Sequence, residues 1–483
     1  FKSPVILRMA QFQLVASQWR PYVLPDLQGP QAPAPRTDES VIDLSVVNVE
    51  ENSESNGNTT PYVLPPGFNR DYDATSVATR RTNEQSLRLC IDGLQNGAVR
   101  AAYKNVTLNL MNYKNIEMFI HAESETPTNE ESYAIMRMGT DYTNNYYEIQ
   151  VPLHFTKPIN TSNPDSVWNS HNTIAVSISD LVNTKVARNS SGASQQSGYS
   201  RTLANGHIIV VVGNPDLSAV VTIMLGVKNP LGGSNIPQKF CIWTDELRAT
   251  GFVSHSSIAY AANLNVNLAD LGVLNASIRY TSAGFGSLDQ KVSQRERANT
   301  LEYGVNTTLA MEKFIPGKTG IKLPMYIGYN RKVITPQYDP LNPDVSVDQS
   351  VNSQSDPKTY KNLIIDQTAT KAINFTGIQK VKVDPKAKKH IYDVENLILS
   401  LSYSQTKRTS YDIKNYEFEN YKAGLGYNYT NNSKNYTPFK SISATKGLIT
   451  PLIKDFNFAL IPSQISVRGD LDRRLTTTQY YQS

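Results

Sequence analysis

The sequence predicts a mostly β protein in two parts: a jelly-roll-like β-sandwich, then antiparallel transmembrane β-barrel strands. Three observations carry this. Between Ser256 and Thr281 apolar residues fall on every second position, through Ile258, Tyr260, Ala262, Leu264, Val266 and Leu268, and again through Leu274, Ala276, Ile278 and Tyr280. Period 2 makes one face of a strand apolar and the other polar. Upstream lie many shorter alternating runs, punctuated by Gly, Asn and Pro. No apolar run approaches the ~18 residues of a membrane helix, which leaves a soluble β protein or a barrel that crosses with strands.

In chain order, Val5–Val15 reads as a strand. Residues 21–81 form a Pro- and Asn-rich irregular excursion containing an echo, Pro21-Tyr22-Val23-Leu24-Pro25 and Pro61-Tyr62-Val63-Leu64-Pro65. Strands are expected at 86–91, 106–110, 116–123, 132–140, 146–153, 208–212, 219–227 and 239–249. A helix near 178–188 is opened by Ser177 or Ser179. Short strands with long connections suggest a two-sheet sandwich over residues 1–250.

Residues 251–483 carry eight runs near the ~10-residue length of a membrane strand: 257–268, 273–282, 300–310, 320–331, 396–405, 419–430, 455–461 and 464–474. The alternation assigns Tyr260, Leu264, Val266, Leu268, Leu274, Ile278, Tyr303, Leu323, Ile327, Leu399 and Leu425 to lipid. It turns Asn263, Asn265, Asn267, Ser277, Arg279, Asn306, Lys322, Ser402 and Asn428 to the lumen. An amide facing hydrocarbon has no partner for its donors, whereas a wet lumen supplies water. Connections alternate between shorter (269–272, 311–319, 406–418, 462–463) and longer (283–300, 334–395, 431–454). The longest, 334–395, reads as an outer loop. If short turns are periplasmic, the first domain lies outside the cell. Tyr260, Tyr280, Tyr303, Tyr329 and Tyr427 then gather at the long-loop end as an aromatic girdle.

The 47 basic and 42 acidic residues give a net charge of +5 without a basic block, so nucleic acid is not an expected partner. Cys90 and Cys241 either pair in an oxidising compartment or stand as two buried thiols. Chemistry for catalysis is not apparent. His121, His154, His171, His207, His255 and His390 lack metal-ligand spacing. Phe314-Ile315-Pro316-Gly317-Lys318-Thr319-Gly320 ends like a phosphate loop, but Glu312 stands where its first glycine belongs. Asp245-Glu246 reads as satisfied carboxylates, with calcium binding there or at Asp339, Asp344 and Asp348 the alternative. No cofactor or enzymatic activity is expected.

A resemblance adds to this reading. The runs Gly226-Val227-Lys228-Asn229-Pro230, Phe240-Cys241-Ile242-Trp243-Thr244-Asp245-Glu246-Leu247-Arg248 and Tyr338-Asp339-Pro340-Leu341-Asn342-Pro343-Asp344 resemble the SprA (Sov) family. So do Ile453-Lys454-Asp455-Phe456-Asn457-Phe458 and the run from Pro462 through Arg473. These are the outer-membrane translocons of type nine secretion and gliding motility in Bacteroidetes. The family's proteins are far longer, so the chain reads as an internal segment. The resemblance implies a very large barrel with an aqueous pore for folded cargo and an extracellular cap. It also implies a PorV-type outer-membrane partner barrel and a periplasmic plug protein, with the segment at the bacterial outer membrane among its lipid. The alternative is a surface carbohydrate-binding or adhesin protein anchored by a barrel, with Trp168, Trp243 and Tyr199 as a sugar platform.

Overall fold

The structure is a computed structural model that describes residues 19–22, 40–54, 59–72, 81–125, 132–231, 236–253, 256–384, 387, 389–431, 435–440, 450–459 and 462–481. The expected strand at 5–15 lies outside them. The chain divides into two compact units. The first is Phe1–His255 with Leu341–Pro357; the second is Ser256–Pro340 with Lys358–Ser483.

The first unit contains β1 (Arg20–Tyr22), β2 (Val41–Asn48), β3 (Gln85–Leu94), β4 (Val99–Leu108), β5 (Asn115–Glu123) and β6 (Tyr133–Gly139). It continues with β7 (Tyr146–Pro152), β8 (Ile174–Ser177), β9 (Tyr199–Thr202), β10 (Ile208–Val212), β11 (Val220–Lys228) and β12 (Gln238–Thr250). One sheet runs β1-β4-β11-β6-β7-β10-β9 and the other β2-β3-β12-β5-β8. Leu89, Ile91, Met118 and Ile120 of the second sheet share one buried core with Met136, Ile149, Val211 and Leu225 of the first. Successive strands repeatedly change sheet, as a sandwich of this kind requires. The expected strands appear with shifted ends, most at 106–110, where β4 starts seven residues earlier at Val99. β1, β2, β8 and β9 are additional. β2 corrects the view of 21–81 as a pure excursion: Val41–Asn48 pairs along its whole length with β3.

Cys90 and Cys241 stand directly opposite each other in the β3–β12 ladder and are joined by a disulfide. The second Pro-Tyr-Val-Leu-Pro copy lies over the outer face of the second sheet. Tyr62 is buried there against Trp168 and Trp243, and donates to Asp245 at 2.6 Å.

Helix Ile178–Ser191 begins at Ser177, whose hydroxyl accepts the Asp180 N–H at 3.0 Å, and ends at Gly192 with φ +71°. The hydroxyl satisfies an otherwise orphaned donor, and glycine takes the left-handed cap without a Cβ penalty. The helix buries Lys185, which meets the returning segment 341–357. Its ammonium donates to Asp344 at 3.1 Å and to the carbonyls of Pro215 and Pro343 at 2.8 and 2.7 Å. Tyr147 and the Leu217 N–H donate to the other Asp344 oxygen. Lys185 and Asp344 side chains are both 0 % exposed, and neighbouring Val345 enters the core.

The second unit carries one long antiparallel sheet. Its strands are β13 (Ala259–Leu268), β14 (Gly272–Thr281), β15 (Ala298–Ala310), the two-residue β16 (Ile321–Lys322) and β17 (Pro324–Pro336). After β18 (Tyr338–Asp339) and β19 (Asn342–Ser346, in the first unit) come β20 (Asp366–Lys380), β21 (Leu397–Thr409), β22 (Ile413–Thr430) and β23 (Gln464–Tyr480). The sheet order is β13-β14-β15-β17-β20-β21-β22-β23, with β16 beside β20.

Four expectations fail here. The 334–395 connection is not one outer loop: it holds the fifteen-residue β20, and its residues 341–357 belong to the first unit. β20 escaped notice because Gln367 and Lys371 occupy its nominally apolar phase. Conversely, 455–459 is not a strand. A helix occupies Thr450–Lys454, and Phe456 and Phe458 pack on each other and on Phe439 and Tyr436 within the connection. The strand gained at β20 reverses the expected direction of β21 and β22, and the strand lost at 455–459 restores that of β23. The connections 282–297, 337–365 and 410–412 therefore share the strand end where β13 begins, and 269–271, 311–323, 381–396 and 431–463 share the other. Short and long no longer segregate, and the loop-length argument for orientation falls. The expected strand 320–331 is also displaced, to 324–336, leaving Lys322 in β16 and Leu323 between strands.

Lys185→Met should destabilise the first unit by about 3–5 kcal/mol, because it leaves a buried carboxylate unpaired. Adding Asp344→Asn should recover part of the loss in chemical denaturation. Burial raises the Asp344 pKa to about 6, against the pull of Lys185. A raised folded pKa means the stabilising contribution is complete below about pH 4 and is lost as pH rises through 6. Wild type should lose stability relative to the double variant across that window. For the disulfide, mass mapping without reductant should return one peptide pair linking Cys90 to Cys241, and prior alkylation should label neither.

Candidate functional site

In an antiparallel ladder directly opposed residues share a face, so the register sorts the side chains of the long sheet. One row runs Leu264–Ala276–Val305–Tyr329–Lys371–Gln405–Glu419–Leu475. Counting from it by twos places Tyr260, Leu264, Val266, Leu268, Leu274, Ile278, Tyr303, Ile327, Leu399 and Leu425 on a single face. Asn263, Asn265, Asn267, Ser277, Arg279, Asn306, Ser402 and Asn428 all fall on the other. Lys322, in β16, stands opposite Gln379, and Leu323 donates its N–H to Glu312 outside any strand.

The first face is apolar and uncovered. Leu264 is 57 % exposed, Leu425 52 % and Val467 62 %, with Ile278, Val305, Ile327, Ile373, Leu401 and Leu471 also exposed on the same side. A contiguous apolar surface of this extent is not left to water by soluble proteins.

The apolar residues do not follow the hydrogen-bonded rows. On β13 the run is centred on Leu264. Along its row, β22 carries Glu419, and the β22 run Tyr421, Ala423, Leu425, Tyr427, Tyr429 is centred six residues further on. Six residues of rise (~3.3 Å each) over six strand spacings (~4.8 Å each) tilt the band by about 35° against the row direction. Three tyrosine pairs trace its margin: Tyr260 with Tyr280 at 5.2 Å, Tyr303 with Tyr329 at 6.3 Å, and Tyr403 with Tyr421 at 4.9 Å. Each pair lies further along the strands than the one before. Tyr427 was expected among them and instead stands at the opposite margin, because the added β20 reverses β22. Tyr403 and Tyr421 take its place. The individual strands carried no signal for this, since the margin exists only in the register between non-neighbouring strands.

The second face is a hydrogen-bonded polar surface. Tyr326 and Asn330 donate to Asn306 at 3.1 and 3.4 Å, and Ser402 donates to Asn374 at 2.6 Å. Lys332 pairs with Glu302 at 2.8 Å, Arg408 with Asp366 at 2.7 Å and Arg474 with Asp472 at 2.8 Å. Gly304 gives Asn330 its room: a Cβ there would stand 2.0 Å from the Asn330 amide oxygen. Arg468 and Asp470 extend the ion pairs onto the last strand.

The remaining candidates resolve into structural contacts. Asp245 accepts from Tyr62 and from Ser86 at 2.7 Å; burial raises its pKa, and the two hydroxyls oppose the rise. Glu246 sits beside it at a break in the β12–β5 ladder with φ +52°. Asp339 accepts from Tyr360 at 2.6 Å, and Asp348 opens the helix Val347–Asn352. Among the described residues no group of three or more His, Cys, Asp or Glu is placed to hold a metal. His121 is buried against Trp243 and meets the Val167 carbonyl at 2.6 Å; His154 stacks near His171 at 5.1 Å. His255 lies outside the described residues. Trp168 and Trp243 are each 2 % exposed, which removes them as a sugar platform. Lys318 and Thr319 lie in the short helix Gly317–Thr319 between strands.

Compared with known proteins, the chain matches the family SprA_N, described as motility related/secretion protein, over residues 1–351. No curated protein matches it.

Proposed function

We propose that this chain, which belongs to the SprA_N family of motility related/secretion proteins, supplies part of the wall of an outer-membrane pore that conducts folded proteins. The first unit contributes to the extracellular cap. The observation that carries the reading is the oblique apolar band. A barrel wall must present hydrocarbon-compatible side chains in a belt parallel to the membrane, while its strands tilt by ~35–45° from the membrane normal. Seen from the strands, such a belt advances across the rows, and an advance of about 35°, counted from the register with ordinary strand spacings, is what a membrane belt would produce. A sandwich face buried by a second layer has no reason to slant in this way.

Strand lengths agree. β13 and β14, of ten residues each, lie almost wholly within the band, whereas β22 and β23, of eighteen and seventeen, run beyond it. The polar face would line water, and cargo would pass along it without a covalent step. β13 and β23 each pair on one side among the described residues. Lipid offers no partner for an open strand edge, so further strands must adjoin both. A PorV-type barrel, a plug protein and secreted cargo are the partners this reading brings with it.

Arginine scanning tests the belt. Leu264→Arg and Leu425→Arg should each cost ~2–4 kcal/mol and deplete heat-resistant outer-membrane complexes. Asn265→Arg, on the opposite face, and Glu419→Arg, in the Leu264 row but beyond the β22 band, should assemble near wild-type levels. Equal tolerance at 264 and 265 would remove the sheet from the membrane. A Glu419→Arg defect as large as that of Leu425→Arg would remove the slant.

A further inference from the structure

Just beyond the tyrosine margin, on the apolar face, stand two cations that have no carboxylate partner among the described residues. Arg331 of β17 donates to the Tyr303 hydroxyl at 3.3 Å and the Gln367 amide oxygen at 2.7 Å, which leaves most of its five N–H donors unengaged. Lys371 of β20 is exposed, stands opposite Tyr329 and Gln405, and has no hydrogen bond or ion pair among the described residues. Arg331 stands opposite Ala369, two residues from Lys371, so the two are diagonal neighbours with Cα atoms roughly 7–8 Å apart. The nearby acidic groups are engaged: Glu417 with Lys407 at 3.1 Å, and Glu419 with Tyr403 at 2.9 Å and with Gln405. Immediately along the strands lie the exposed Val305, Ile327 and Ile373.

We propose that Arg331 and Lys371 form a binding site for the phosphate headgroup of a membrane lipid whose acyl chains lie along Val305, Ile327 and Ile373. The inference rests on the barrel reading and names a ligand for its outer surface. Charge complementarity selects an anion, the guanidinium fork suits phosphate oxygens, and the ammonium adds a second point charge. The adjoining apolar surface selects an amphiphile over a free anion. Tyr303 and Tyr329 stand at the boundary, where amphipathic rings favour the headgroup level.

Native mass spectrometry of the full-length protein in neutral detergent tests this, with added phosphatidylglycerol, diacylglycerol of the same chains, or inorganic phosphate. Phosphatidylglycerol should bind, diacylglycerol should not, and binding should weaken about tenfold for each of Arg331→Gln and Lys371→Gln. Lys332→Gln, one residue away on the polar face and paired with Glu302, should leave lipid binding unchanged. Undiminished binding in the Arg331→Gln/Lys371→Gln variant overturns the site. Displacement of the lipid by inorganic phosphate at equal concentration also overturns it, by showing a free-anion site. Both variants should still form heat-resistant outer-membrane complexes. Normal assembly with undiminished lipid binding therefore rejects this site alone, while tolerance of Leu264→Arg rejects the barrel reading itself.

Discussion

The second unit depends on a single constraint: eight strands held in one register. Because side chains alternate with period 2, a one-residue slip in any ladder would turn a strand's apolar residues to the polar side. The ladders from β13 to β23 keep phase, including past the bulge at Gly377, where φ is +74° and the N–H is taken by Ser400 at 3.2 Å. The bulge carries the extra length, and Ile378 is again opposite Leu399 on the apolar side. The exposed apolar band, its slant and the tyrosine margin are all consequences of that phase.

The first unit is held by a different means. Its two sheets share an ordinary hydrophobic core, but polar groups buried deep in the unit specify which chain segments join it. Lys185 and Asp344 meet across 159 residues, and the carboxylate accepts from three donors, the Lys185 ammonium, the Tyr147 hydroxyl and the Leu217 N–H. Such a pair contributes little net stability compared with an apolar substitute, yet penalises any arrangement that leaves one charge alone. It marks residues 341–357 as part of this unit although they lie between two strands of the other. Tyr62 and Asp245 act alike over 183 residues, seating the Pro61–Pro65 segment on the outer face of the second sheet.

These two modes suit the proposed role. A wall that meets lipid on one side and water on the other has no second layer to pack against, so its information lies in alternation and backbone pairing. A cap has an interior, and can use buried polar contacts to choose its segments.

The sequence by itself determined the β class, the change of character near residue 256, and the face of nearly every named strand residue. Those properties are local: alternation in ten residues already separates Leu264 from Asn265, and Ser177 announces its helix within three. It did not determine which runs are strands, nor the direction of β21 and β22. β20 was hidden because Lys371 and Gln367 lie beyond the band, where that face of the sheet is no longer apolar, and the run expected as a strand at 455–461 misled because the aromatic alternation of Phe456 and Phe458 serves ring packing as readily as a strand. The slant of the band, the place of Tyr403 and Tyr421, and the pairing of Arg331's neighbourhood with Lys371 were decided only by tertiary structure. Each depends on the relative register of strands far apart in sequence, and Asp344 reaches Lys185 only once two sheets and a helix have closed around it. Pairing over such distances is set by the whole ladder and the whole core, which no short window of residues contains.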